Sequence, residues 1–382
     1  MKSLDLVFFD AGGGHRAAAN ALAQVMEQRG AWERIRLVNL QEVLDGLDVF
    51  RKVTGIRLQD LYNALLKKGW TLGSGQLLIG MHAVIRGFHR PAVRALEAFW
   101  RKDRPELVVS LVPNLNRAMG DALRTLGVPL VTILTDLADY PPHFWMERQE
   151  QYFICGTAKA VEQALAMGHK PERVYRVSGM ILAPRFYELE PLGARERAEA
   201  RANLGFDPEQ PVGLVLFGGQ GAAVMLEIAR QLPRRQLLAI CGHNDKLAAR
   251  LRGLPHEAPL FVEGFTREVP HYMQLADYFI GKPGPGSISE AVAMRLPVIV
   301  ERNLWTLPQE RYNTEWMREQ GVGLVLRNFR QIAGAVEELL EPSAYERFRA
   351  ATGRIENRAV MEIPEILERI VGSGVITPPA AR

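Results

Sequence analysis

Short, continuous apolar runs recur along the 382-residue chain, and each is followed by a stretch with helical spacing. The first half carries six: LDLVFFD, RIRLVNL, ELVVSLVP, PLVTILTD, QYFICG and RVYRVSG. The second half carries six more: PVGLVLFGG, RQLLAICG, PLFVEGF, DYFIGKPG, LPVIVERN and VGLVL. The runs do not alternate with polar residues, as expected of parallel strands buried on both faces. Strand–helix alternation predicts doubly wound α/β sheets, and two sets of strands predict two facing Rossmann-like domains. The expected domains are 1–183 and 211–345. A Pro-, Gly- and charge-rich linker is expected over 184–210, and a C-terminal helix and tail over 346–382. In open parallel sheets ligands bind beyond the carboxyl ends of the strands, so facing domains place them in an interdomain cleft. The residues just after each strand are therefore the ones to read for chemistry.

Composition narrows the class. Hydrophobic residues make up 47% and charged residues 24%, an ordinary globular balance. No apolar run reaches the roughly 18–20 residues that span a bilayer. The N-terminus is interrupted by Asp5 and Asp10, unlike a secretory signal. The two cysteines, Cys155 and Cys241, lie far apart without metal or disulfide spacing, which fits a reducing cytosol. Charge is uneven. Residues 51–104 hold eleven Lys/Arg against Asp60, Glu97 and Asp103, a local +8 in a chain of net +4. Arg86, Arg90 and Arg94 lie in this stretch, with Trp70, Phe88 and Trp100 among them. Basic charge interleaved with aromatics fits a helix lying on an anionic membrane surface. A solvated helical face is the plainer reading. No nucleic-acid motif accompanies the charge.

Glycine loops follow strands in both halves: Gly12-Gly13-Gly14-His15, Gly218-Gly219-Gln220-Gly221, and Gly281-Lys282-Pro283-Gly284-Pro285-Gly286-Ser287. The first nominally matches a dinucleotide fingerprint. Asn39 stands where the second strand should end in an acid for the ribose, which argues against NAD or FAD. In KPGPGSISEAVAM, Gly284 and Gly286 clear the way for an anion, and the following helix presents its positive end there. Ser287 and Glu290 also have capping-box spacing, an alternative that needs no ligand.

GKPGPGSISEAVAMRLPVIV…PQERYN resembles the donor-binding segment of glycosyltransferases built from two facing Rossmann-like domains, the GT-B type. Within them it is most similar to the monogalactosyldiacylglycerol synthase and diacylglycerol glucosyltransferase group. The lipid II N-acetylglucosaminyltransferase is a more distant relative. DAGGGHRAAANAL, TILTDL, CGTAKAVEQALAMGHKPERVYRVSGMILAPRF and EGFTREVPHYMQLADYFIGKPG resemble further landmarks of the group, in order along residues 5–330. The resemblance implies a UDP-hexose donor and a lipid acceptor. Gly219, Gln220 and Gly221, with Gly284, Gly286 and Ser287, would hold the diphosphate. Phe265 would lie against uracil and Glu290 would bind the ribose. Gln309, Glu310 and Asn313 would meet the donor sugar. Gly13 and Gly14 would let the acceptor approach in the N-terminal domain. Two departures stand out. Pro308 replaces a glycine before the Gln-Glu pair, and LADYPPHFWM carries His143 in a shifted place.

His15 is the favoured general base, because an imidazole at a helix start suits proton removal from a hydroxyl. Asp10 is placed to orient it, and Asp136 at another strand end is the rival base. A helix N-cap or a loop hydrogen bond is the plainer reading of Asp136. The sequence has no D-x-D motif, so no metal and no cofactor are expected. Helix dipoles and basic groups such as Lys282 would stabilise the leaving UDP. The expected activity is inverting transfer of galactose or glucose from UDP-hexose to diacylglycerol or a related lipid, giving a β-glycolipid. The enzyme would be cytoplasmic and peripheral to the membrane. A UDP-sugar epimerase, a transferase acting on another lipid-linked acceptor and a non-catalytic UDP-sugar sensor are the alternatives.

Overall fold

A computed structural model describes residues 2–10, 14–44, 87–139, 143–304 and 306–372. Gly13, Trp70 and Arg86 lie outside these residues. All twelve apolar runs form strands. They are β1 (Ser3–Phe8), β2 (Arg34–Asn39), β3 (Leu107–Ser110), β4 (Leu130–Ile133), β5 (Tyr152–Cys155) and β6 (Val174–Arg176), followed by β7 (Val212–Leu216), β8 (Gln236–Ile240), β9 (Leu260–Glu263), β10 (Tyr278–Gly281), β11 (Val298–Glu301) and β12 (Gly323–Leu326).

The chain divides into two compact units, residues 1–184 with 357–382, and residues 185–356. Each holds one parallel six-stranded sheet. The first sheet runs β2-β1-β3-β4-β5-β6, and its order reverses between β1 and β3. The second runs β12-β11-β10-β7-β8-β9, the Rossmann order, and reverses between β7 and β10. Leu216 pairs with Gly281 at the carboxyl ends of those two strands. The glycine loops that follow them therefore start side by side at the switch point.

The boundaries differ from the sequence reading in two places. Residues 184–210, expected as a linker, carry the helix Ala194–Asn203, which is anchored to the second unit. Arg197 and Arg201 of that helix both bond the Asp277 carboxylate, at 2.8 and 2.5 Å, and Arg201 is buried. Asp277 also accepts the Val212 N–H at the start of β7. A surface-like charge pattern thus turns into packed structure because its arginines find one acidic partner 76–80 residues away. The stretch 346–382 is divided too. The helix Pro342–Gly353 stays with the second unit, whereas Ala359–Gly372 packs on the first. There Ile363, Ile366, Leu367 and Ile370 complete the core around Leu4, Leu6, Leu22 and Met26. The return is pinned by Asn357, whose Nδ2 donates to the Met180 carbonyl at 2.9 Å, and by Glu362, which accepts the Ser178 N–H at 2.8 Å. A Cβ on Gly179 would fall 2.6 Å from the Asn357 side chain, so only glycine admits this contact.

Candidate active site

In the first unit the helix Gly14–Arg29 begins a few residues beyond β1, and it carries His15 at its first turn. His15 Nδ1 lies 3.0 Å from Thr135 Oγ1, just past the end of β4. Its ring is 5.8 Å from the Trp145 ring and also hydrogen-bonds the Leu111 backbone. Burial pushes the His15 pKa down to about 4, which the Leu111 bond offsets only in part. The imidazole is therefore neutral at physiological pH, the form a base requires.

Asp136 accepts the Trp145 indole N–H at 2.8 Å. No helix starts at Asp136, so it caps nothing, and the indole bond is the loop hydrogen bond that the plainer reading allows. The indole lies against His15 and binds Asp136 at once, which brings the two rival bases into one cluster. The expected Asp10–His15 pair is not formed. Asp10 bonds Arg16, one residue along the same turn, at 3.2 Å, and Thr135 takes its place beside the imidazole.

Thr135, Asp139 and Trp145 were not singled out by the sequence reading. Asp139 is fully buried, and its carboxylate accepts the N–H groups of Phe144, Trp145 and Met146 at 2.7, 3.3 and 2.9 Å. Those three bonds set the loop that delivers Trp145. His143, the residue in a shifted place, lies with Nδ1 3.3 Å from Asp139 Oδ2, and this contact raises its pKa. The only sequence signal for this arrangement is an acid a few residues before the aromatic pair Phe144-Trp145, which many loops share.

The second unit builds a separate cluster. After β7 the chain turns through Gly218 (φ +70°) and Gly221 (φ +58°), closed by the Gly221 N–H on the Gly218 carbonyl at 3.2 Å. Both turn glycines hold left-handed backbone that a side chain would strain. The loop after β8 buttresses it: the His243 N–H donates to the Gly219 carbonyl at 2.9 Å, and Asn244 Nδ2 to the Gln220 carbonyl at 3.2 Å. After β10 the helix Pro285–Ala293 starts with Gly284 as its N-cap. Nothing lies within 4 Å of where a Cβ on Gly219 or Gly286 would sit, so both backbones face open space.

The capping box that the Ser287–Glu290 spacing allows does not form. Pro285 opens the helix, which leaves Ser287 at the third helical position and Glu290 a turn further in. Among the described residues the Glu290 carboxyl has no hydrogen-bond partner, and burial raises its pKa to about 7. Pro308 likewise occupies a first helical position, that of Pro308–Gln320, where its missing N–H costs nothing. That helix presents Gln309, Glu310 and Asn313. Asn313 Nδ2 donates to the Pro283 carbonyl at 2.7 Å and ties the helix to the glycine loop. Among the described residues, Gln309 Oε1 and Asn313 Oδ1 are buried acceptors without a partner. Glu310 pairs with Lys282 at 3.4 Å. Phe265 is 57% exposed rather than a core aromatic, and it stacks on His243 at 4.0 Å.

Residues 214–358 match the glycosyltransferase family 28 C-terminal domain. The chain is 28% identical over 378 residues to a monogalactosyldiacylglycerol synthase of Spinacia oleracea, covering 90% of this chain and 67% of that protein. It thus spans about two thirds of the length of such relatives. Among solved structures, Acinetobacter baumannii MurG aligns with a TM-score of 0.59 at 13% identity, covering 97% of this chain and 100% of that one. A UDP-N-acetylglucosamine 2-epimerase aligns with a TM-score of 0.63 at 13% identity, covering 100% of both chains. At these identities the two structures speak to the fold alone. The chain is a GT-B-fold glycosyltransferase homologue that carries a family 28 C-terminal domain and is related over most of its length to the monogalactosyldiacylglycerol synthases.

Proposed function

We propose that this protein transfers a hexose, galactose or glucose, from UDP-hexose to diacylglycerol or a related lipid with inversion, giving a β-glycolipid. The observation that carries the reading is the switch point of the second unit. There two glycine turns leave paired strand ends, with a lysine between them and unpartnered polar groups around them. Open backbone at Gly219 and Gly286, with a helix N-terminus behind Gly284, suits a diphosphate. Glu290, desolvated and without a hydrogen-bond partner among the described residues, suits the ribose hydroxyls. Gln309, Glu310 and Asn313 offer acceptors to the sugar. The exposed Phe265 offers a flat face to uracil.

The first unit supplies the base and receives the acceptor. The acceptor hydroxyl oxygen attacks the anomeric carbon as the bond from that carbon to the phosphate oxygen breaks. UDP leaves with the electron pair, and His15 takes the hydroxyl proton. Helix dipoles and Lys282 answer the charge that builds on the leaving group, so the reaction is proposed to need no metal. Relatives named for a galactolipid support the lipid acceptor. So does the helix His89–Lys102, which exposes Arg90 and Arg94 one turn apart and buries Ala92, Leu96 and Trp100. Among the described residues no helix is long and apolar enough to cross a membrane. A lipid acceptor then calls for peripheral attachment to an anionic surface.

The test is a lipid-labelling assay. Protein with diacylglycerol vesicles receives radiolabelled UDP-galactose, UDP-glucose or UDP-N-acetylglucosamine in turn. Label in a lipid spot from one hexose donor is the expected result. Conversion of UDP-sugar without acceptor would favour an epimerase instead. Binding of UDP-sugar with no turnover of any kind would favour a sensor.

A further inference from the structure

Lys282 lies between the two glycine turns of the second unit. Its Cε is 3.7 Å from where a Cβ would sit on Gly218 and 3.2 Å from the same point on Gly284. Its Nζ is 3.4 Å from Glu310 Oε1. The lysine side chain is 48% exposed and the glutamate 12%. The ammonium is thus free to swing on its four-carbon stem, whereas the carboxylate is set by the first turn of its helix. One ion pair joins the loop assigned to phosphate to the residue assigned to the sugar.

We propose that Lys282 exchanges partners when the donor binds, leaving Glu310 for the diphosphate and so releasing the Glu310 carboxylate for the sugar hydroxyls. This rests on the reading of the second unit as a UDP-sugar site. A diphosphate carries more charge than one carboxylate and offers several oxygens to the three ammonium donors, so it wins the lysine. Glu310, relieved of the ammonium, regains acceptor capacity for hydroxyl donors. Sugar recognition is then coupled to phosphate recognition: a free hexose meets a carboxylate already engaged, and a UDP-hexose frees it. The lysine serves chemistry as well. When the bond from the anomeric carbon to the phosphate oxygen breaks, the electron pair stays on that oxygen beside the ammonium.

The test is calorimetric titration of UDP into the full chain, as wild type, Lys282→Met, Lys282→Arg, Glu310→Gln and the Lys282→Met/Glu310→Gln double variant. Lys282→Met is expected to weaken UDP roughly ten- to a hundredfold, and Lys282→Arg to restore most of that. Glu310→Gln is expected to tighten UDP by about two- to fivefold, because the competing ion pair is gone, while hexose transfer falls. In the Lys282→Met background, Glu310→Gln should leave UDP binding unchanged. The exchange is overturned if Glu310→Gln fails to tighten UDP where Lys282 is present, or if Lys282→Met binds like wild type. Wild type that binds UDP alongside either result leaves the donor-site reading standing. Wild type that binds no UDP overturns both.

Discussion

His15 and Glu290 show how burial prepares a side chain. A histidine base must be neutral to accept a proton, and burial pushes the His15 pKa down to about 4. If His15 is the base, the acid limb of kcat/KM falls near pH 4 rather than near the unperturbed 6.5. His15→Ala is expected to cost about 10²–10⁴-fold in rate. An active His15→Ala would move the role to Asp136, whereas a limb near 6.5 would mean a base imidazole that is not desolvated. Glu290 is shifted the other way, from 4.5 to about 7, by burial. Its folded form prefers the proton, so its contribution to stability is present below pH 4.5 and is lost as pH rises through 7. Glu290→Gln keeps the neutral shape. Thermal unfolding is expected to show it equal to wild type at pH 4 and more stable at pH 8. No gap at pH 8 would remove the case for a desolvated carboxylate that the Arg185 charge offsets only in part. Neither shift could be read from the sequence, because each depends on what packs around the group. The family resemblance pointed to both residues, and the fold explains their state.

Elements were legible where their signal is local. The central strands β1, β3, β4, β5, β7, β8 and β10 follow from continuous apolar runs, because a strand buried on both faces has no polar side to show, whereas the edge strands β2 and β6 carry arginines and are only half-buried. The helix Ala194–Asn203 has no such signal, since its stabilising partners are distant in sequence. Arg201 is 4% exposed and bonds Asp277 and the Leu275 carbonyl. Arg201→Met leaves Asp277 short of a partner and is expected to destabilise the second unit by about 3 kcal/mol, measured by urea unfolding. A loss well under 1 kcal/mol would mean the pair is effectively solvated. The expected Asp10–His15 pair and the Ser287–Glu290 cap failed for nearby reasons. Arg16 reaches Asp10 first, and Pro285 starts its helix before Ser287. Spacing alone does not rank such local competitors.

Across the whole molecule the uneven charge carries the membrane reading. The +8 of residues 51–104 is a property of sequence, and the structure adds that Arg90 and Arg94 stand exposed on one helix. Reversing both charges is expected to weaken sedimentation with anionic vesicles by tenfold or more, at about 1 kcal/mol per arginine, with neutral vesicles unaffected. Unchanged binding would return that helix to a solvated face. Two parallel-sheet domains and the glycine turns after β7 and β10 are legible along the chain, because periodicity and turn chemistry are local, and the family resemblance rests on motifs in their order. Which groups meet depends on how each unit folds. Thr135 lies 120 residues from His15 along the chain, and Lys282 lies 28 from Glu310. The fold also decides that the terminal helix Ala359–Gly372 belongs to the first unit. Burial, hydrogen-bond partners and the pKa shifts they cause are properties of neighbours in space, and one-dimensional spacing does not contain them.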